Sequence, residues 1–239
     1  MIVKATDIKN NFGKYIKLLD KEDIIVTKNG MPVAKITRHR TWGNSDKICE
    51  QATSYGCHGK KMSYEEFMEM YEKTDKRYEY IDGEVFLLAS PGVTHQRVVG
   101  NLYALLRLWF KGKKCIPFLS PLDVTLKKGE GSINVVQPDL LVICDPENKN
   151  ENDRYTGIPT LVIEVLSDTS SRMDLIKKLD LYMQAGVQEY WVVNYFNREV
   201  IIYKFKNNDI ADMKLFVRDD TVQSMIFDGL LVELKDIFT

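Results

Sequence analysis

The chain has 239 residues, 44% of them hydrophobic and 28% charged, with a formal net charge of −1. Those proportions fit one moderate globular domain plus something small, and no repeat or low-complexity tract interrupts them. No apolar run approaches the ~20 residues that span a bilayer. The start MIVKATDIKN lacks the apolar core of a secretion signal, so the expectation is a cytoplasmic protein without a membrane partner.

The charge is unevenly placed. Residues 1–40 carry nine Lys and Arg against four Asp and Glu, a net of +5, whereas the rest carries 24 against 30, a net of −6. A basic head on an acidic body invites either phosphate contacts or nothing more than a solvated, lysine-rich surface. The four cysteines lack the paired short spacings of a zinc knuckle, and Cys49 and Cys57 are expected to be free thiols in a linker.

Residues 2–38 predict strand, helix, strand, turn, strand. IVKA is short and apolar, and Ile8, Phe12, Tyr15, Ile16 and Leu19 recur at helical spacing behind a Thr6 cap with Asp7 in the first turn. DIIVTKNGMPVAKIT alternates on either side of Asn29-Gly30, a dipeptide suited to a tight hairpin. Fewer than 40 residues enclose little core, so this unit is expected to need a partner, most simply a second copy.

Residues 41–61 are polar and aperiodic and predict a linker. Beyond them, Ser63 and Glu66 form a capping-box pattern, and RYEYIDGEVFLLAS predicts a hairpin around Asp82-Gly83. A long amphipathic helix is expected from about His95, with Val98, Val99, Leu102, Leu106 and Trp109 on one face. Strand-like runs follow at DVTLKK, VVQPDLLVIC and TLVIEVLS, then a helix around 171–185, then EYWVVNY, EVIIYKF and KLFVRD. Mixed strands flanked by two long helices predict an α/β fold over 62–239, with Tyr190 and Trp191 in the core.

TLVIEVLSD places Glu164 among apolar residues in a strand without alternation. An unpaired ionised carboxylate buried there costs several kcal/mol, roughly, so a cation or donor must meet it. Asp139 opens a second apolar run, in QPDLLVICD. Two such carboxylates on neighbouring buried strands repel unless they share a cation, and oxygen-only ligands suit Mg or Mn. Lys178, on the following helix, is placed to orient or activate a metal-bound water, although Asp174 and Lys178 also have the spacing of a surface ion pair. His95 opens its helix, where it either bonds a phosphate or caps.

QPDLLV, IEVLS and DLIKKLDLYMQAGVQEYWVV resemble the PD-(D/E)XK nuclease superfamily, and within it the Uma-two family of restriction-type endonucleases. MSYEEF, RYEYIDGEV, His95 and DGLLVELKDIF extend the likeness over residues 62–239. The resemblance implies a restriction-endonuclease-like mixed sheet and a metal-dependent DNA endonuclease with Asp139 and Glu164 as ligands of Mg or Mn. It also implies a lysine moved from the strand, where Leu166 stands, to the helix at Lys178, with Lys177 as its neighbouring alternative. A further acidic residue comes from Glu79 or Glu84. No small organic cofactor is expected.

ATDIKNNFGKYIKLLDKEDIIVTKNGMPVAKI looks like the N-terminal part of the Phd/YefM antitoxin family. It implies a small α+β dimerisation module over residues 1–40, with Lys9, Asn10, Lys14 and Lys28 as DNA-phosphate contacts, a homodimer, and DNA as partner. The competing functional expectation is a non-catalytic operator-binding regulator on a retained nuclease scaffold. RNA is also open as a substrate.

Overall fold

The structure, a computed structural model, describes residues 2–4, 6–7, 24–28, 31–36, 60–129, 131–151, 154–167 and 172–239. The chain divides into two compact units, Met1–Cys49 and Glu50–Thr239. In the first unit, β1 (Ile2–Lys4), β2 (Ile24–Lys28) and β3 (Met31–Ile36) form a sheet in the order β1-β2-β3. β1 is parallel to β2 and β2 antiparallel to β3, with Lys28 opposite Met31. Val3, Ile24 and Val26 are buried, as their alternating positions require. Lys9, Asn10, Lys14, the Asn29-Gly30 turn, Cys49 and Cys57 lie outside the described residues, and of Lys28 only the backbone is described.

The second unit opens with β4 (Lys60–Lys61) and α1 (Tyr64–Tyr71), whose capping box is present: Ser63 accepts from the Glu66 amide and Glu66 from that of Ser63. β5 (Tyr78–Ile81) and β6 (Glu84–Leu87) meet in the expected hairpin, where Asp82 and Gly83 take φ of 50° and 80°. Positive φ at both turn residues matches the right-handed twist of the strands, and Asp-Gly tolerates it. With β8 (Val124–Lys128) and β9 (Ser132–Val136) they complete a five-stranded sheet ordered β4-β6-β5-β9-β8.

A six-stranded sheet, β14-β13-β12-β11-β10-β7, forms the centre. It contains β7 (Ile116–Leu119), β10 (Leu140–Ile143), β11 (Leu161–Val165), β12 (Glu189–Asn194), β13 (Glu199–Lys206) and β14 (Asp209–Val217). Only the β11–β12 pair within it is parallel, the other neighbours being antiparallel. Both faces are covered, which is why the central strands lack polar alternation. On one face α2 (Val93–Trp109) lays Val98, Val99, Leu102 and Leu106 against Leu140, Val142, Leu161 and Ile163. On the other, α3 (Arg172–Ala185) brings Leu181, Tyr182 and Ala185 to Leu141, Val162, Tyr190 and Val192. β15 (Thr221–Gln223), β16 (Leu231–Glu233) and α4 (Leu234–Ile237) close the α2 side with Val222, Val232 and Ile237.

One expectation is corrected. VVQPDLLVIC is not one strand: β9 ends at Val136, β10 begins at Leu140, and the two belong to different sheets. Pro138 has no N–H to give a ladder, so the chain leaves one sheet there and enters the other. The cysteine spacing also concealed a bond, since Cys115 and Cys144 form a disulfide beyond the Ile116–Ile143 pair of β7 and β10. Among the described residues no helix is long and apolar enough to cross a membrane.

Candidate active site

Glu164 sits on the α3 face of β11, since side chains alternate along the strand and Val162 packs on that face. The β10–β11 register pairs Leu140 with Ile163, and continued by one residue it sets Asp139 across from Glu164. Residues directly opposite in an antiparallel pair project to the same face, so the two carboxylates are neighbours.

Asp139 is held at the strand end. Its Oδ2 accepts from the Val165 amide at 2.9 Å and lies 3.2 Å from His95 Nε2, which is also 3.0 Å from the Val165 carbonyl oxygen. Both partners of Nε2 are acceptors, so Nε2 carries the proton. His95 Nδ1 is buried and has no hydrogen-bond partner among the described residues. Burial pulls the imidazole pKa down, but the Asp139 carboxylate, the Val165 carbonyl and the Glu164 charge outweigh it, and the net shift is upward. His95 therefore neither caps α2, whose N-cap is Gly92, nor lies open to solvent; it ties Asp139 to the end of β11.

Glu164 finds its cation on α3. Lys178 Nζ donates to Glu164 Oε1 at 3.0 Å and to Glu79 Oε1 at 3.0 Å, and the Tyr182 hydroxyl donates to Glu164 Oε1 at 2.7 Å. Lys178 and Tyr182 stand four apart and so share a helix face. Burial pushes the Glu164 carboxyl up to about 8 against the pull of Lys178, and the Asp139 and Glu79 charges push the same way. Burial and the Glu164 and Glu79 carboxylates hold Tyr182 well above 10, so it remains a hydroxyl donor.

Glu79 projects from β5 in the other sheet and accepts from the Gln137 amide at 3.0 Å. Gln137 in turn donates to the Tyr71 hydroxyl and to Asp123, and accepts from Arg77, whose second nitrogen reaches Ser120. Burial and Asp123 push Tyr71 up to about 12. Lys177 points elsewhere: it pairs with Glu84 at 2.6 Å and lies over the Phe86 ring. The structure thus brings Asp139, Glu164, Lys178, Glu79 and His95 together and leaves Lys177 and Glu84 as a separate pair. The Asp174 side chain lies outside the described residues. Tyr182, Gln137 and Arg77 were missed from sequence; Tyr182 alone left a trace there, four residues past Lys178.

The donor set fits a hard divalent cation. Among the described residues, hydrogen bonds engage Asp139 Oδ2 and Glu164 Oε1, so Asp139 Oδ1 and Glu164 Oε2 are the oxygens that would hold such a cation. Among the described residues no group of three or more His, Cys, Asp or Glu converges as a ligand set.

Residues 64–234 match the model of the Uma2 family, described as "Putative restriction endonuclease", and the chain belongs to that family. It is 28% identical over 150 residues to the uncharacterized protein slr1290 of Synechocystis sp. (strain ATCC 27184 / PCC 6803 / Kazusa), covering 62% of this chain and 76% of that one. A second uncharacterized protein of that strain, sll1609, is 26% identical over 141 residues, covering 58% and 78%. The fold is that of the crystal structure of a "putative nuclease belonging to DUF820" from Anabaena variabilis ATCC 29413. The TM-score is 0.60 at 21% identity, over 72% of this chain and 96% of that one.

Proposed function

We propose that the protein is a Mg- or Mn-dependent endonuclease that hydrolyses phosphodiester bonds in DNA. Family and fold support a nuclease. The observation that carries the chemistry is Asp139 set across from Glu164 on adjacent strands, with Lys178 against Glu164.

A divalent cation held by Asp139 and Glu164 would supply Lewis-acid activation of a phosphate and of water. The chain's own residues prepare that site. His95 and the Val165 amide fix Asp139 in one orientation. Tyr182 and Lys178 fix Glu164, and Glu79 holds Lys178 from the opposite side, so its ammonium sits beside the carboxylates rather than in solvent. In that position it stabilises negative charge that develops on a bound phosphate. Residues 1–40, through Lys9, Asn10, Lys14 and Lys28, are proposed to add phosphate contacts and to pair two chains, on their likeness to the Phd/YefM family and their +5 charge.

The test is incubation of supercoiled plasmid with the protein, with and without Mg or Mn, beside Glu164→Gln and Asp139→Asn. Nicking or linearisation that requires the metal and falls at least ~100-fold in both variants supports the proposal. Binding to duplex DNA without cleavage under any metal would instead favour the non-catalytic regulator, and cleavage confined to RNA would reassign the substrate.

A further inference from the structure

β14 is a long edge left open. Its nine residues have one hydrogen-bonded neighbour among the described strands, β13, although β14 ends the six-stranded sheet. Edge strands are ordinarily shortened, bent away or interrupted by proline, because their free N–H and C=O groups template pairing with another chain. DIADMKLFV has no proline and is nine residues long, its register against β13 shifts only at Ala211, and Ile210, Met213 and Leu215 are 41%, 55% and 54% exposed. Met213 and Leu215 adjoin the partly buried Tyr203 and Ile201 across the β13–β14 ladder, which makes a continuous apolar strip on one face.

We infer that two copies of this chain pair antiparallel through β14, about a two-fold axis at Met213, and so join their six-stranded sheets. The register follows from geometry and charge. Outward-facing backbone groups alternate along a strand, so two identical antiparallel edges bond only when the axis passes through a residue. An axis at Asp212 sets Asp212 against itself, and one at Lys214 sets Lys214 against itself; both oppose like charges. An axis at Met213 places each Asp212 opposite the Lys214 of the other copy. It also places Met213 opposite Met213, and the register shift at Ala211 bounds the regular ladder on the Ile210 side. Two ion pairs and the exposed Met213 side chains are satisfied in one register. Glu164 lies on β11, three strands away, or about 14 Å at the usual strand spacing, so pairing leaves the candidate site open. This contact is distinct from any pairing through residues 1–40.

Peptide-resolved hydrogen exchange on the full chain at low and high concentration tests the inference. Amides of residues 209–217 are expected to exchange at least ~10-fold more slowly at high concentration, as strand pairing shields them. Asp212→Lys and Lys214→Asp, each of which opposes like charges at both pairs, should each weaken that self-association by ~10-fold or more, and the double swap should restore it to within a few fold. Thermal unfolding of all three variants checks that they fold. Protection of 209–217 that does not change with concentration overturns the inference, as does a concentration dependence that both single reversals leave intact. Folded single variants that lose association without rescue by the swap overturn the register.

Discussion

Lys178 Nζ lies 3.0 Å from Glu164 Oε1 inside the protein, with both side chains nearly excluded from solvent. A lysine buried this way is the cation that a carboxylate in a two-sided strand requires. The adjacent Lys177 is 24% exposed and paired with Glu84. Lys178→Met should therefore abolish cleavage and destabilise the fold by about 3–5 kcal/mol, because Glu79 and Glu164 lose their shared cation. Lys177→Met should keep activity within a few fold and cost about 1 kcal/mol or less. Urea denaturation beside plasmid cleavage checks both, and equal effects of the two substitutions would remove the special role given to Lys178.

His95 bonds Asp139 and the Val165 carbonyl at the end of β11. His95→Ala should raise the Mg concentration needed for half-maximal cleavage by ~10–100-fold, the usual cost of losing a group that orients a metal ligand. The rate at saturating Mg should fall much less. A Mg titration separates the two, and an unchanged half-maximal concentration would show that Asp139 holds its orientation alone.

Glu164 gives a pH dependence with a definite sign. Its carboxyl is raised from 4.5 to about 8 in the folded chain, so between those values the metal-free protein binds a proton that the unfolded chain has lost. The stability it contributes is full below about 4.5 and is lost as pH rises through about 8. Metal-free unfolding temperature should fall across that window and do so less steeply in Glu164→Gln. Mg uptake near neutral pH should release a proton, because the ligand must ionise. Calorimetric heats of Mg binding that do not change with buffer ionisation enthalpy would contradict this.

Glu189 is fully buried, opposite Lys204 in the β12–β13 ladder. Its carboxylate accepts from Trp191 Nε1, the Ser224 hydroxyl and the Met225 amide, tying β12 to the C-terminal segment. Burial raises its pKa against those donors. Glu189→Ala should cost about 2–3 kcal/mol by orphaning the donors, with faster hydrogen exchange over 221–234 and little change in cleavage per folded molecule. Exchange that stays slow in that segment would show that its apolar contacts suffice.

The helices and most strands were legible because their signals are local: the capping box at Ser63, the Asp-Gly turn, the apolar stripe of α2. Glu164 was legible for the opposite reason, a charge where the local pattern forbids one. What could not be read was where distant strands meet. The hydrogen bond from Lys178 to Glu79 joins residues 99 apart in sequence, and nothing local distinguished Glu79 from Glu84 or Lys178 from Lys177. The break at Pro138 was visible as a proline but not as a change of sheet. The Cys115–Cys144 bond depends on β7–β10 pairing, which no spacing records.

The chain crosses between the two sheets twice at one place, through Ser120–Asp123 and back through Gln137–Asp139, and the Ser120 amide donates to the Asp139 carbonyl across the seam. Asp139 and Glu164 travel with one sheet and Glu79 with the other. A splaying of the sheets would act as a lever with its fulcrum at this double crossing, drawing Glu79 away from Lys178 and Glu164 before either strand is deformed.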